Sequence, residues 1–177
     1  KDAKLFNLPP PTQGLASILI LGLLDELSIT CKNNVELIHN IVEITKAVFK
    51  IRDKHISDPR YMSFHVSEFL TKDFIKKLAK EINFEKAAPW PTSSLGGDTV
   101  WLGATDTHGN TVSFIQSIYW EFGSGLVLPN TGITMQNRGI SFSLDPKNHN
   151  HLLPGRKPFH TIQPALAHFD DGRVMSY

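Results

Sequence analysis

The sequence has one cysteine, Cys31, among 177 residues. An intramolecular disulfide is therefore excluded and a cysteine metal cluster cannot form, which suits a reducing compartment. Cys31 itself reads as a small buried hydrophobe. An excess of either charge is also missing, since 18 Lys and Arg stand interspersed with 17 Asp and Glu. No basic run with interleaved aromatics offers a field for a polyanion, so nucleic acid is not an expected partner. No apolar run reaches membrane-spanning length. The longest, residues 15–27, is broken by Ser17, Gly22, Asp25 and Glu26 and reads as a core helix, so no membrane is expected either. Lys1 stands where an initiator Met would, and residues 1–7 lack the apolar stretch and cleavage site of a signal peptide. The expectation is a piece of a longer protein.

What is present changes texture along the chain. Residues 1–86 carry helical patterning and residues from about 98 onward carry strand patterning, so the fold class reads as mixed α/β, of the α+β kind. Pro9-Pro10-Pro11 is an extended lead-in. Thr12 can then cap a helix over 15–27, whose apolar residues on nearly every side predict burial against more than one neighbour. A second helix is predicted over 34–54. Its buried stripe is Val35, Ile38, Ile41, Val42, Val48 and Phe49, with Lys46, Lys50 and Arg52 late in the helix, where its dipole favours cations. Asp58-Pro59 ends that segment. A third helix, over 71–82, sets Phe74, Ile75, Leu78 and Ile82 against a lysine-rich face. Residues 89–97, rich in proline, serine and glycine, read as a linker or processing site.

Two strands follow, over 100–106 and 111–120, joined across Thr107-His108-Gly109-Asn110. Large apolar residues occupy both faces of the second strand, so both faces are expected to be covered. The loop length decides the register. A three-residue loop with Gly109 left-handed pairs Asp106 with Asn110 and sets Thr99 opposite Ser117; a two-residue loop sets Thr99 opposite Ile118.

Four groups of residues compete for chemistry. In Asn148-His149-Asn150-His151 two histidines could share a metal on an extended segment, but no carboxylate or cysteine at metal spacing supports them, and a solvated loop is the better reading. A serine nucleophile lacks the G-x-S-x-G elbow. Phe122-Gly123-Ser124-Gly125 runs into the strand-like Leu126-Val127-Leu128 rather than a helix with a lysine, so it reads as a turn and not a phosphate loop. The fourth is Gly96-Gly97-Asp98-Thr99, a glycine pair leading into a strand that opens with a hydroxyl.

The surroundings of Thr99 carry a resemblance. Asp98-Thr99-Val100, Asp106-x-x-Gly109-Asn110, Ser117, Phe122-Gly123-Ser124-Gly125, Gly132-Ile133, Asn137 and Phe142-Ser143 resemble the opening of the small subunit of γ-glutamyltranspeptidases, which are N-terminal-nucleophile (Ntn) hydrolases. Downstream, Pro158-Phe159-His160-Thr161-Ile162-Gln163-Pro164 and Asp171-Gly172-Arg173 match later family segments. Upstream, Pro9-Pro10-Pro11-Thr12-Gln13-Gly14 and Arg52-Asp53-Lys54-x-x-x-Asp58-Pro59 resemble the end of the large subunit. The likeness spans nearly the whole chain in the right order.

The resemblance implies a four-layer αββα sandwich, here only part of it. It implies that residues 1–98 are the tail of a large subunit and 99–177 the start of a small one, separated by self-cleavage between Asp98 and Thr99. In that reading Thr99 is the nucleophile and, once freed, its α-amine is the general base; a reference pKa of about 7.7–8.0 suits the task. Ser117 would orient the Thr99 hydroxyl. Tyr119, Arg138, Ser141, His160 and Thr161 fall at substrate-binding positions. In γ-glutamyl enzymes an acid occupies the position of Ser141, and without it a buried substrate ammonium would be costly. Arg138 offers a fork suited to a carboxylate, or else a structural ion pair. Tyr119 reads as pocket wall or core. The motifs around Trp101, Phe114 and Arg138 look most like the branch of oxamate amidohydrolases and γ-glutamyltransferase-like acylases. That implies acyl transfer from a small carboxylate-bearing amide to water or an amine. A true γ-glutamyltransferase or glutathione hydrolase is the alternative, and a catalytically decayed relative with a binding or structural role is the second. No metal and no organic cofactor is implied. The implied partners are the amide substrate, the remainder of both subunits and a homo-oligomer of the αβ unit, and this branch points to the cytoplasm. The glycine-rich segment that supplies the oxyanion hole in the family falls beyond Tyr177.

Overall fold

The computed structural model describes residues 3–90 and 99–177. The expected processing segment therefore lies outside the described residues, including Asp98 and all of 89–97 but its first two positions.

The first half is built around one apolar helix. α1 (Gly14–Leu27) buries Leu15, Ala16, Leu19 and Leu23 and packs against α2 (Asn34–His55), α3 (Lys72–Lys80) and strand β1 (Ala3–Asn7). Leu23, Ile44 and Val48 have no exposure, and each such side chain contributes roughly 1.5–3 kcal/mol of transfer free energy. The helix begins one residue before the expected start at 15, and its boundary residue is Gln13 rather than Thr12, whose hydroxyl accepts from Gly14 N at 3.3 Å. α2 starts at Asn33, whose side chain accepts from Glu36 N. α3 is capped by Thr71, accepting from Phe74 N.

The buried stripe predicted for α2 needs correction. Val35 and Ile38 are 77% and 61% exposed and Val42 is exposed as well, while Asn40, Glu43, Ile44 and Val48 face inward. The inward polar groups are partnered. Glu43 takes Lys46 Nζ at 2.7 Å and Ala88 N at 3.0 Å, and these bonds hold its carboxyl below the usual range despite burial. Cys31 is half-buried rather than buried, and its sulfur accepts from Asn40 Nδ2.

The second half forms two sheets. β2 (Val100–Thr105) and β3 (Thr111–Gln116) pair as a hairpin, with Val100 opposite Gln116 and Thr105 opposite Thr111. β1 pairs antiparallel with β4 (Ala165–Phe169), which pairs with β5 (Val174–Ser176). The sheets meet where β3 lies against β5; Gly103 permits the approach, since a Cβ there would stand 2.4 Å from Ser176 Oγ. The expectation that both hairpin faces are covered fails for the described residues. β2 is exposed throughout, and Val112 and Phe114, on the face of β3 opposite the one where Ser113 reaches Tyr177 O, are each 48% exposed. β3 also ends at Gln116 rather than at Trp120. Among the described residues no helix is long and apolar enough to cross a membrane.

Candidate active site

The hairpin loop has three residues, with Gly109 at φ +84°, and Asp106 N and Asn110 O bond across it at 3.0 Å. The Asp106 carboxylate closes the loop by accepting from His108 N and Asn110 N. This register carries Thr99 to the level of Ser117, and Thr99 Oγ1 donates to Ser117 Oγ at 3.0 Å. The open alternative that set Thr99 opposite Ile118 is not adopted.

Ser117 lies just past β3, where the chain leaves the sheet. Its oxygen also accepts from Tyr119 N at 3.1 Å. Tyr119 has φ +80°, an uncommon region for a bulky residue and one that costs on the order of 1–3 kcal/mol. The conformation is held by Ser117, and next to it Trp120 N donates to Asn137 Oδ1 while Asn137 N returns to Ile118 O.

Asn137 leads into the short 3-10 turn Arg138–Ser141, and this turn delivers Arg138 into the site. Arg138 is 2% exposed. One terminal nitrogen donates to Ser117 Oγ at 2.8 Å and the other to Thr161 Oγ1 at 2.7 Å, while the guanidinium lies 4.6 Å from the centre of the Tyr119 ring. Among the described residues its Nε has no partner and no carboxylate pairs with it. Of the two readings of Arg138, the structural ion pair is absent among the described residues. Burial pulls its pKa below the usual guanidinium value. Tyr119 is the half-buried lid of this cation rather than part of the apolar core.

His160 and Thr161 come from the stretch before β4. Burial first, and the Arg138 charge second, push the His160 imidazole down to about 4, so it is neutral at pH 7 and adds no second cation beside Arg138. Its Nδ1 accepts from Ile162 N, which leaves the ring proton on Nε2. Ser141 goes elsewhere. It lines a cavity with Arg52, Asp53 and His149, and its carbonyl accepts from Asn150 Nδ2. Thr99, Ser117, Tyr119, Arg138 and Thr161 are thus joined in one contact network with His160 beside it, and Ser141 stands apart.

The 148–151 segment is not a solvated loop. Asn150 is 6% exposed and Arg156 is 8% exposed, and Arg156 reaches His151 Nδ1 and the carbonyls of His149 and His151. Among the described residues no group of three His, Cys, Asp or Glu could hold a metal. The Phe122–Gly125 stretch is a turn, with Gly123 and Gly125 at positive φ.

Gln13, Arg52 and Asp58 lie in the upstream segments that carry the family resemblance. Their polar atoms face the 155–161 stretch: Gln13 Nε2 donates to Thr161 O, Arg52 bonds Gln13, and Asp58 accepts from Lys157 N. The available signal was a glutamine two residues after a proline run, but its partner lies 148 residues away.

The sequence model of gamma-glutamyltranspeptidase matches residues 1–177. An oxamate amidohydrolase proenzyme of Klebsiella pneumoniae is 52% identical over the whole chain, which covers 34% of that relative. A glutathione hydrolase-like proenzyme of Bacillus subtilis is 39% identical over 91% of the chain, covering 31% of its own length. Among solved structures, a cephalosporin acylase from Bacillus halodurans superposes with a TM-score of 0.86 at 38% identity, over 99% of this chain and 32% of that one. The chain spans about a third of the length of the relatives it matches.

Proposed function

The chain belongs to the γ-glutamyltranspeptidase family, and from that membership we propose that it carries the nucleophile and part of the acyl pocket of a self-processing amidohydrolase acting on a small carboxylate-bearing amide of the oxamate kind. The observation that supports this best is the hydrogen-bonded line Thr99–Ser117–Arg138–Thr161, which ends a nucleophile candidate on a buried cation without a carboxylate partner among the described residues. A buried guanidinium in that state favours an anionic ligand, because a charge-assisted bidentate contact offsets its desolvation.

In the maturation step, the Thr99 hydroxyl oxygen attacks the Asp98 carbonyl carbon, the Asp98–Thr99 C–N bond breaks, and an ester joins the two residues. Water hydrolyses that ester and leaves the Thr99 α-amine free. In turnover, this amine takes the hydroxyl proton as Thr99 Oγ1 attacks the substrate's amide carbon. The leaving nitrogen departs with that proton, and water then releases the acid from the acyl-enzyme. Ser117 holds Thr99 Oγ1 in line. Arg138 and Thr161 hold the substrate's carboxylate, with Tyr119 as the pocket wall.

Mass spectrometry of the full-length protein tests the first step. The expected result is a break before Thr99 that Thr99→Ala abolishes; a chain that stays intact on long incubation and is not labelled at Thr99 by an acylating inhibitor would point instead to a decayed relative. Oxamate and a γ-glutamyl anilide separate the substrate classes. Oxamate should be hydrolysed at a kcat/KM at least about tenfold higher, a difference near 1.4 kcal/mol in transition-state stabilisation. Efficient γ-glutamyl release would favour the glutathione hydrolase reading.

A further inference from the structure

The turnover scheme leaves Pro9-Pro10-Pro11-Thr12-Gln13 and Arg52…Asp58 unused, yet both segments converge on the residues just before and at Thr161. Gln13 is 9% exposed, and both ends of its amide are chemically determined. Its Oε1 accepts from Arg52 Nη1 at 2.9 Å, and arginine can only donate; its Nε2 donates to Thr161 O at 2.6 Å, and a carbonyl can only accept. The brace behind it has contacts of its own. Arg52 stacks 3.6 Å over the Phe49 ring, reaches toward Phe159, and is held at Nε by Asp53 at 2.7 Å. One residue earlier, His160 N donates to Pro11 O at 2.8 Å. The His160 N–H and the Thr161 carbonyl, which flank the His160–Thr161 peptide, are therefore pinned from the first half of the chain, and the Thr161 hydroxyl in turn takes Arg138 at 2.7 Å.

We infer that Gln13, braced by Arg52, is a positioning residue for the carboxylate site: it sets the Thr161 backbone, and through the Thr161 hydroxyl the aim of the Arg138 guanidinium. This rests on the reading that Arg138 and Thr161 receive the substrate's carboxylate. Glutamate would not serve in its place. It keeps the length and the bond from Arg52 but turns an acceptor toward the Thr161 carbonyl, so donor chemistry, and not volume, is what the position requires.

The test uses the full-length enzyme, with oxamate as probe and oxamide as its uncharged counterpart. Gln13→Glu should raise KM for oxamate about tenfold, the effect of one lost buried hydrogen bond, with a smaller change in kcat, a smaller loss on oxamide, and the same extent of processing by mass. Where glutamate prevents processing, Gln13→Met, which keeps the volume and drops both bonds, should give the same split. Arg138→Gln separates the two layers of inference. If it erases the preference for oxamate over oxamide while the Gln13 variants leave KM unchanged, or depress kcat on both substrates alike, the positioning role is overturned and the assignment of Arg138 stands. If Arg138→Gln keeps the preference, the assignment of Arg138 itself fails.

Discussion

Arg138 sits where a charge is expensive. It is 2% exposed, and among the described residues its Nε has no partner and its two side-chain hydrogen bonds go to neutral hydroxyls rather than to an acid. Removing one member of a buried ion pair normally destabilises a fold because the other charge is stranded. Here no carboxylate among the described residues would be stranded by its loss, so the usual sign should not hold. Arg138→Met is expected to leave the melting temperature unchanged or raise it, by up to about 1–2 kcal/mol of stability, while oxamate turnover collapses. Thermal denaturation of the processed enzyme alongside a turnover assay checks both halves. A clear fall in melting temperature would mean that the Ser117 and Thr161 hydroxyls outweigh the desolvation of the guanidinium. Tyr119 belongs to the same account, since its strained backbone at φ +80° places its ring on that cation.

Among the elements, the hairpin decides whether a nucleophile exists at all. The three-residue loop sets Thr99 level with Ser117. In the alternative two-residue loop, with Thr107 paired to Asn110, Thr99 would meet Ile118, which has no hydroxyl. Ser117→Ala is expected to leave a folded protein that no longer cuts before Thr99, read by mass spectrometry and circular dichroism. Normal processing of that variant would show that the Ser117 contact is not required. Elements differ in how legible they were. The helices were readable from apolar spacing, since that pattern is local, but the face of α2 that turns inward was not. Val35 and Ile38 look like core by periodicity and lie open, while Asn40 and Glu43 look like surface and are buried, because α1 and the Ala88 segment select the face. The loop residues 107–110 allowed two registers, and only the paired hairpin separates them. Gln13 and Asp58 contact backbone 148 and 99 residues distant, so no local pattern could assign them.

For the molecule as a whole, the main sheet bridges the two halves. β1 comes from the first half, β4 and β5 from the second, and five residue pairs from Ala3–Phe169 to Asn7–Ala165 join them. Asp58 adds a polar latch. It is fully buried, accepts from Arg60 and from Lys157 N at 2.8 Å, while Arg60 reaches on to Gly155 O. A cut before Thr99 therefore leaves every one of these contacts in place, and the two products should travel as one species in native mass spectrometry at pH 7 and separate in denaturant. The latch also gives the association a pH dependence. The Arg60 hydrogen bond, chiefly, holds the Asp58 carboxyl well below the usual carboxylate range, against the effect of burial. A depressed folded pKa stabilises fully above the ordinary value of about 3.9 and is lost as pH falls from there toward the folded value. The joined halves should thus weaken on acidification below about pH 4. Asp58→Asn, which keeps one acceptor but loses the charge, should cost about 2 kcal/mol at pH 7 and flatten that acid slope. Denaturant titrations of parent and variant across pH 3–7 would show this as two curves converging toward low pH; curves that stay parallel would mean that Asp58 is not the group linking stability to acid.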